Sequence, residues 1–295
     1  MMSKPQEVTQ QKTEKAPTGI SWHDLTPMSR MDTICEIGLP LPWLFASWLL
    51  YASPFWITGP IASFMFFLCA LRLNHEAIHN NLGLPHRGDQ VVLHSLSFLI
   101  GASNHAVAHG HLVHHKHAMG PEDFEGKCGH MTFREVLLYG PRFTFDINRA
   151  AWTGSKPHIR RKIIVDWSLN IAMIAVALSS GFLFLLFHIV AMAIAQCLTA
   201  LFAVWITHQG AGAQGVVARS QRGILARVAY LMFYHREHHL FPKVPVRRLP
   251  VLAKRLDTNV AGYATSRLPV APLFEKSAGN CGLKTEGSYR KLDCV

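Results

Sequence analysis

Two long stretches of the chain contain almost no charged side chain. The first, residues 37–71, has none, and the second, residues 163–207, has only Asp166. Because a membrane-spanning helix needs about 20 apolar residues, each stretch is long enough for two helices joined by a short turn. The pattern therefore predicts an all-α integral membrane protein with four transmembrane helices in two hairpins.

The positions of the two turns can also be predicted. Ser53 and Pro54 interrupt the first stretch, and a serine–glycine sequence at residues 179–181 interrupts the second, with a turn nearer His188 as the alternative. A third apolar segment, residues 91–103, is too short to cross a bilayer. We expect that segment to lie on the membrane surface or to re-enter the membrane.

Positive charge is distributed according to this topology. Of the 29 Lys and Arg residues, four precede the first apolar stretch, eleven lie between the stretches and fourteen follow the second. Two hairpins return all three polar segments to one side of the membrane, and the positive-inside rule makes that side cytoplasmic. The net charge of +11 is thus explained by topology, and we expect no nucleic-acid partner.

This topology divides the chain into three parts. Residues 1–36 begin with a polar segment without an apolar core, which predicts a cytosolic and partly disordered tail rather than a signal peptide. Residues 37–256 form the predicted membrane domain, with a cytosolic helical cap. Residues 257–295 form a cytosolic C-terminal tail. The absence of a signal peptide and of a fused electron donor favours a bacterial inner membrane, with the endoplasmic reticulum as the second choice.

The most distinctive feature is the grouping of the 18 histidines. Four groups follow or precede the apolar stretches: HEAIH at 75–79, HAVAHGHLVHHKH at 105–117, THQG at 207–210 and HREHH at 235–239. Residues three and four positions apart share one face of a helix, so the H-x-x-x-H and H-x-x-H-H spacings can direct several imidazoles at one point. The candidate metal ligands are His75, His79, His111, His114, His115, His208, His235, His238 and His239.

Nine imidazoles are too many for one tetrahedral zinc ion. They suit two metal ions, each with four or five nitrogen ligands, because neutral imidazole is a common ligand of Zn, Fe, Cu and Ni. A ligand imidazole usually donates its other N–H to a carboxylate or a carbonyl. The acids that could accept it, unless they are simply solvated, are Glu76, Glu122, Asp123, Glu125 and Glu237.

Three of these segments resemble the histidine boxes of membrane fatty acid desaturases: HEAIH, HLVHHKHAMGPEDFE and FYHREHHLFPKVPVRRLP. The resemblance covers roughly residues 37–256. It assigns the nine candidate ligands to the three boxes, with His208 as the additional ligand between the last span and the third box. It also implies two iron ions and O2 as co-substrate. The second cluster holds three histidines more than the usual second box: His105, His109 and His117. We expect these three, together with Glu76, Asp123 and Glu237, to lie beside the ligands or in solvent.

The resemblance implies an O2-dependent oxidoreductase acting on C–H bonds of an acyl chain, held in an apolar tunnel between the spans. The first hypothesis is a fatty acid desaturase, and the alternative is a related hydroxylase, ketolase or decarboxylase. A hypothesis from another functional class is a membrane metal-binding or transport protein, or a zinc hydrolase. Transport is disfavoured because transport sites usually lie near the bilayer midplane, whereas these histidines lie beyond the helix ends.

The resemblance also implies partners. The substrate would be an acyl-lipid, acyl-CoA, acyl-ACP or free fatty acid, and membrane lipid surrounds the spans. With no donor motif in the chain, electrons would come from an external ferredoxin- or cytochrome-type protein. An acidic partner would be attracted to the basic cytosolic face. The candidates for that docking, or for contact with anionic lipid headgroups, are Arg247, Arg248, Lys254 and Arg255.

Overall fold

The computed structural model describes residues 14–271, and this part of the chain is helical without a β-strand. The prediction of an all-α protein is confirmed. Of the two predicted tails, residues 1–13 and 272–295 lie outside the described residues. The helices are α1 Arg30–Gly38, α2 Leu41–Tyr51, α3 Gly59–Ile78, α4 His86–Ile100, α5 Asn104–His117, α6 Phe133–Gly154, α7 Pro157–Ser180, α8 Leu183–Cys197, α9 Ile206–His208, α10 Gly223–Val228, α11 His235–Leu240 and α12 Leu249–Asn259.

Three helical segments are long and apolar enough to cross a membrane: Arg30–Tyr51, Trp56–Ile78 and Pro157–Ser180. Two bent pairs add to them. The pair α4 and α5 is bent by 115°, and the pair of α8 and Ala200–Gln214 is bent by 40°. The described residues therefore hold three to five candidate spans, a range that includes the predicted four.

The turns lie where the sequence predicts them. Helix α2 ends at Tyr51 and α3 begins at Gly59. Helix α7 ends at Ser180, and Gly181 follows with φ +71°, a conformation that glycine adopts at little cost. The alternative turn near His188 is wrong, because His188 lies inside α8, where its Nε2 atom is 2.8 Å from the carbonyl oxygen of Leu99.

The second apolar stretch is not a simple pair of straight helices. After α8, the chain bends and continues as the π-helical segment Ala200–Trp205 before α9. The bend lies where α6 approaches most closely: a Cβ atom on Gly140 would be 1.8 Å from the carbonyl oxygen of Cys197. Only glycine permits that contact. The bent segment ends at His208, one of the predicted ligands.

The cap consists of α10, α11 and α12, and it has its own apolar core, which includes Leu240, Leu249 and Leu252. Residues 14–29 lie across this cap. Leu25 is part of the cap core, and the Trp22 ring contacts the Phe241 ring at 5.8 Å between centroids. The segment preceding the first candidate span is therefore packed against the region that carries the third histidine box.

Acidic residues near the N-terminus pair with the cations predicted to dock a partner. Asp32 lies 2.7 Å from Arg247 and 3.1 Å from Arg248, and Asp24 lies 2.6 Å from Arg255. Three of the four candidate docking cations thus form ion pairs within the chain. These pairs attach the N-terminal segment to the cap.

A buried ion pair joins α1 to the end of α3. The guanidinium of Arg72 donates to Glu36, with Nε 2.9 Å from Oε2, and a second donor of Arg72 lies 2.9 Å from the carbonyl oxygen of Tyr230. Both side chains are almost inaccessible to solvent. This pair fixes the C-terminal part of α3, where the first histidine box begins, against α1 and the loop before α11.

Replacing Glu36 by Gln should destabilise the protein strongly. Removing one partner of a buried ion pair leaves an uncompensated charge, which typically costs about 3–5 kcal/mol. We expect a clear fall in melting temperature of the detergent-solubilised protein. Asp24→Asn, which breaks the exposed pair with Arg255, is the control and should change the melting temperature little.

Candidate metal centre

Four helices bring the nine predicted ligands together on one side of the cap. Helix α3 carries His75 in its last turn and His79 at its C-cap, α5 carries the three histidines of the second box, α9 ends at His208, and α11 carries the three of the third box. Most of the nine are buried, and His115 and His239 are half-buried. Tertiary folding brings together histidines that are up to 164 positions apart in the sequence.

The nine imidazoles form two separate groups. The first group holds five of them, His75, His79, His111, His115 and His238, and the second holds four, His114, His208, His235 and His239. Within each group, one nitrogen from every ring lies within 4.8 Å of the others. Helices α5 and α11 each contribute to both groups, so these two helices fix the position of one group relative to the other.

The closest approaches in both groups are between Nε2 atoms. In the first group, the Nε2 atoms of His75 and His238 are 2.8 Å apart, and those of His79 and His111 are 3.1 Å apart. In the second group, the Nε2 atoms of His208 and His235 are 2.9 Å apart. Two nitrogens bound at about 2.1 Å to one metal ion and at right angles to each other would be about 3.0 Å apart. The spacing therefore fits nitrogens arranged around a common cation.

In three of the nine rings, the contact of the opposite nitrogen indicates which atom carries the proton. The Nδ1 atom of His208 lies 3.0 Å from the carbonyl oxygen of Val217, which can only accept a hydrogen bond. The Nδ1 atom of His114 lies 2.6 Å from Asp123, and that of His111 lies 3.3 Å from Glu125. With the proton on Nδ1, each Nε2 atom directs a lone pair at its neighbours. Converging lone pairs repel one another, so this arrangement fits a bound cation in each group.

Burial keeps the third box neutral. Loss of solvent, reinforced by neighbouring histidines, lowers the pKa of His235, His238 and His239 well below the usual value of an imidazole. At neutral pH these rings are therefore unprotonated on one nitrogen and able to act as ligands.

Asp123 is the acid most closely joined to a predicted ligand. Besides His114, its carboxylate accepts hydrogen bonds from the backbone N–H groups of Met119 and Gly126, each at 2.7 Å. Burial raises the pKa of Asp123, but the hydrogen bonds from His114 and these two amides outweigh it, and the pKa lies below its usual value. An ionised Asp123 can then hold the imidazole of His114 in one orientation.

The other candidate acids differ in their contacts. Glu125 faces His111, as described above, and Glu122 lies 3.0 Å from His117, a partly exposed pair. Glu76 is fully buried, with one oxygen 3.6 Å from Nδ1 of His75 and the other accepting from the amide of Val246. Glu237 does not face an imidazole. Its carboxylate oxygens accept hydrogen bonds from Ser220, Arg222 and Tyr263, and these bonds hold α11 in place.

The additional histidines of the second cluster do not join the two groups. The ring nitrogens of His105 lie 2.9 Å from Asp166 and 3.1 Å from Gln90, and His94 lies 2.6 Å from Asp166. This trio holds the start of α5 against α4 and α7. His109 lies on α5 next to Gly154: a Cβ atom on Gly154 would be 3.3 Å from the Nε2 atom of His109. The pairing of His94 was not predicted, although the isolated charge of Asp166 in an apolar stretch was a signal for a buried polar partner.

An elongated cavity of about 330 Å³ reaches both groups of histidines. His75 and His111 of the first group and His235 of the second lie at its wall. The rest of the wall comes mainly from apolar side chains of α3, α5, α6 and α10, including Leu68, Leu71, Ile78, Val107, Ile147 and Leu225. Along α3 the lining positions run from Ile78 to Phe64, a length of about 21 Å.

A second cavity of about 200 Å³ shares part of its wall with the first. Phe64 lines both, and its ring contacts that of Phe202 at 5.3 Å between centroids. The second cavity is bounded by Tyr51, Trp56 and Phe187. Phe64 therefore stands between the cavity that reaches the histidines and the space near the start of α3.

Replacing Asp123 by Asn should weaken metal binding. The amide keeps the size of the side chain but loses the charge that orients His114, and loss of such a partner typically lowers metal affinity about 10- to 100-fold. Metal titration of the purified protein measures this effect. Glu122→Gln is the control, because Glu122 contacts only the partly exposed His117 in this region; equal affinities for Asp123→Asn and the unmodified protein would contradict the assignment.

Comparison with known proteins agrees with this geometry. No curated protein matches the sequence. The fatty acid desaturase family matches residues 38–270, a range that holds all nine clustered histidines. Because that match covers most of the chain, the protein belongs to the fatty acid desaturase family, whose members are membrane oxidoreductases.

Proposed function

We propose that the protein is a di-iron, O2-dependent enzyme that introduces a C=C double bond into an acyl chain. The observation that carries the proposal is the cavity whose wall includes histidines of both groups. A bound pair of irons would supply the redox chemistry for removing hydrogen from an unactivated C–H bond, which a closed-shell ion such as Zn²⁺ does not provide. Electrons would come from an external ferredoxin- or cytochrome-type protein.

The proposed ligands are the two groups of five and four histidines. Their all-nitrogen composition is unsuited to Mg²⁺ or Ca²⁺, which prefer oxygen ligands, and is suited to iron, copper, nickel or zinc. Asp123 and Glu125 would hold His114 and His111 in the required tautomer, and the carbonyl of Val217 would do so for His208. These contacts leave the Nε2 atoms directed at the ions.

The cavity fits an extended apolar substrate. Its lining is predominantly aliphatic and aromatic, and a few polar side chains, among them Asn74, Thr144 and Asn148, interrupt it. Burial of methylene groups against such a wall contributes about 0.8 kcal/mol for each one. The protein would therefore hold the chain by its length and present one segment of it to the histidine groups, while excluding bulk water.

We further propose a membrane topology with four spans in two hairpins and the centre on the cytosolic side. The support is that the first box lies at the end of α3 and that His208 ends α9, after the bend that follows α8. All Lys and Arg residues also lie outside the two apolar stretches. The pair α4 and α5 would then be a re-entrant element rather than a span. A bacterial inner membrane is the proposed location.

Expression in a host followed by lipid analysis tests the proposed reaction. We expect new unsaturated acyl chains and close to two irons per purified chain. Hydroxy acids, keto products or terminal alkenes would instead identify a hydroxylase, ketolase or decarboxylase, and a zinc-only protein from iron-replete cells would contradict an oxygenase of any kind. The form in which the substrate is carried is identified by supplying purified membranes with each candidate in turn: acyl-lipid, acyl-CoA, acyl-ACP and free fatty acid.

Two histidine variants separate the ligands from their neighbours. His239→Ala removes a member of the four-histidine group and should abolish product formation and lower the iron content, while the protein stays folded in the membrane. His109 lies close to the second box in the sequence but belongs to neither histidine group. His109→Ala should therefore retain iron and activity. Turnover by His239→Ala at the unmodified rate would refute the assignment.

Replacing Phe64 by Ala should lengthen the acyl chains that the enzyme accepts. Removing the ring joins the 330 and 200 Å³ cavities, so the methyl end of a longer chain could extend past α3. The measurement is the chain-length distribution of products in a host supplied with saturated acids of several lengths. Phe187→Ala is the matched control, because it enlarges only the second cavity; an unchanged distribution for Phe64→Ala in an active enzyme would contradict this role.

A further inference from the structure

An N-terminal carboxylate, Glu14, contacts the surroundings of the four-histidine group at two points. Glu14 precedes residues 38–270, the range that matches the family. It also lies in the segment for which the sequence predicts only a tail. Its contacts are therefore not part of the histidine-box pattern.

The first contact is with Arg236, which lies inside the third box next to His235. The Arg236 side chain is buried, with 4% of its surface exposed. Its Nη2 atom donates to Oε1 of Glu14 at 2.7 Å, and its Nε atom lies 3.1 and 3.2 Å from the two carboxylate oxygens. This is the fork-like pairing that gives arginine–carboxylate contacts their directional strength.

The remaining groups around Arg236 cannot replace this charge. The guanidinium stacks on the Tyr263 ring at 4.2 Å and donates to the carbonyl oxygen of Tyr263 and to the hydroxyl of Ser266. These partners are uncharged. Among the described residues, Glu14 is the acid that forms an ion pair with Arg236, since the neighbouring Glu237 pairs with Arg222.

The second contact reaches His208 through one peptide unit. Oε2 of Glu14 accepts a hydrogen bond from the backbone N–H of Val217 at 3.0 Å. The carbonyl oxygen of Val217 accepts from Nδ1 of His208, also at 3.0 Å. One carboxylate thus fixes the residue that orients His208 and the guanidinium that anchors α11. His208 and His235 both belong to the four-histidine group.

We propose that Glu14 is a positioning residue for the metal ion of the four-histidine group. It compensates the buried positive charge of Arg236 close to a site that would itself hold a cation, and it fixes the Val217 segment behind His208. The five-histidine group has a single member on α11, His238, and none on α9. Loss of Glu14 should therefore weaken one metal site more than the other. This inference rests on the proposed two-metal centre.

The test is metal titration of the purified full-length protein under anaerobic conditions, with Fe²⁺ and with Co²⁺ as a spectroscopic probe. The unmodified protein should bind two ions. Glu14→Gln should bind one ion with unchanged affinity and the second about 10- to 100-fold more weakly, the range typical for loss of a group that orients a ligand. The Co²⁺ absorption spectrum should lose the contribution of one site. Glu14→Asp, which keeps the charge, should restore part of the second affinity.

Asp24→Asn is the matched control. Asp24 lies on the same N-terminal segment and pairs with Arg255 on α12, away from the histidine groups. It should leave both metal affinities unchanged. Melting temperatures of all variants show whether each one is folded.

Each remaining result has a defined meaning. If Glu14→Gln binds two ions as the unmodified protein does, Glu14 does not position the site. If Asp24→Asn loses the second ion equally, the effect belongs to attachment of the whole segment, and the specific role of Glu14 is overturned. If the unmodified protein binds fewer than two ions, the two-metal centre itself fails, which is a different outcome from failure of the role of Glu14.

Discussion

The convergence of imidazole lone pairs is the constraint on which the rest of this structure depends. Nine rings direct nitrogens into two small volumes, with Nε2 atoms about 3 Å apart. Without a cation, such lone pairs repel one another, and burial removes the water that could bridge them. The fold therefore has to hold three helices in a fixed arrangement around each group, α3, α5 and α11 around the five and α5, α9 and α11 around the four. The contacts on the outer side of the rings serve that purpose.

For three of the nine rings, those contacts are hydrogen bonds to groups that can only accept. A carboxylate stands behind His114, another behind His111, and a peptide carbonyl behind His208. Each of them keeps the proton on Nδ1 and so leaves Nε2 as the free nitrogen. Farther out, buried ion pairs such as that of Glu36 and Arg72 join the ends of the membrane helices to the loop before α11. The centre is thus supported by successive layers of polar contacts within an otherwise apolar protein.

The position of the cavity connects this centre to chemistry. Its wall includes members of both histidine groups, and its lining also includes Phe64, about three turns from His75 along α3. An enzyme that acts on one segment of a long, flexible chain needs both features: reactive groups at a fixed point and a boundary that limits how far the chain can advance. The N-terminal segment adds a further element, because it lies across the cap and reaches the surroundings of His208 and Arg236.

The helical class, the turns after α2 and α7, and the nine clustered histidines can be predicted from the sequence, because apolar length and i, i+3, i+4 spacing are local properties. How the nine divide into five and four depends on tertiary packing, since α5 and α11 each direct neighbouring residues to different groups. Tertiary packing also brings His105 to Asp166 and Glu14 to Arg236. Those contacts join positions far apart in the chain, and no local pattern specifies which distant acid a buried cation or imidazole will meet.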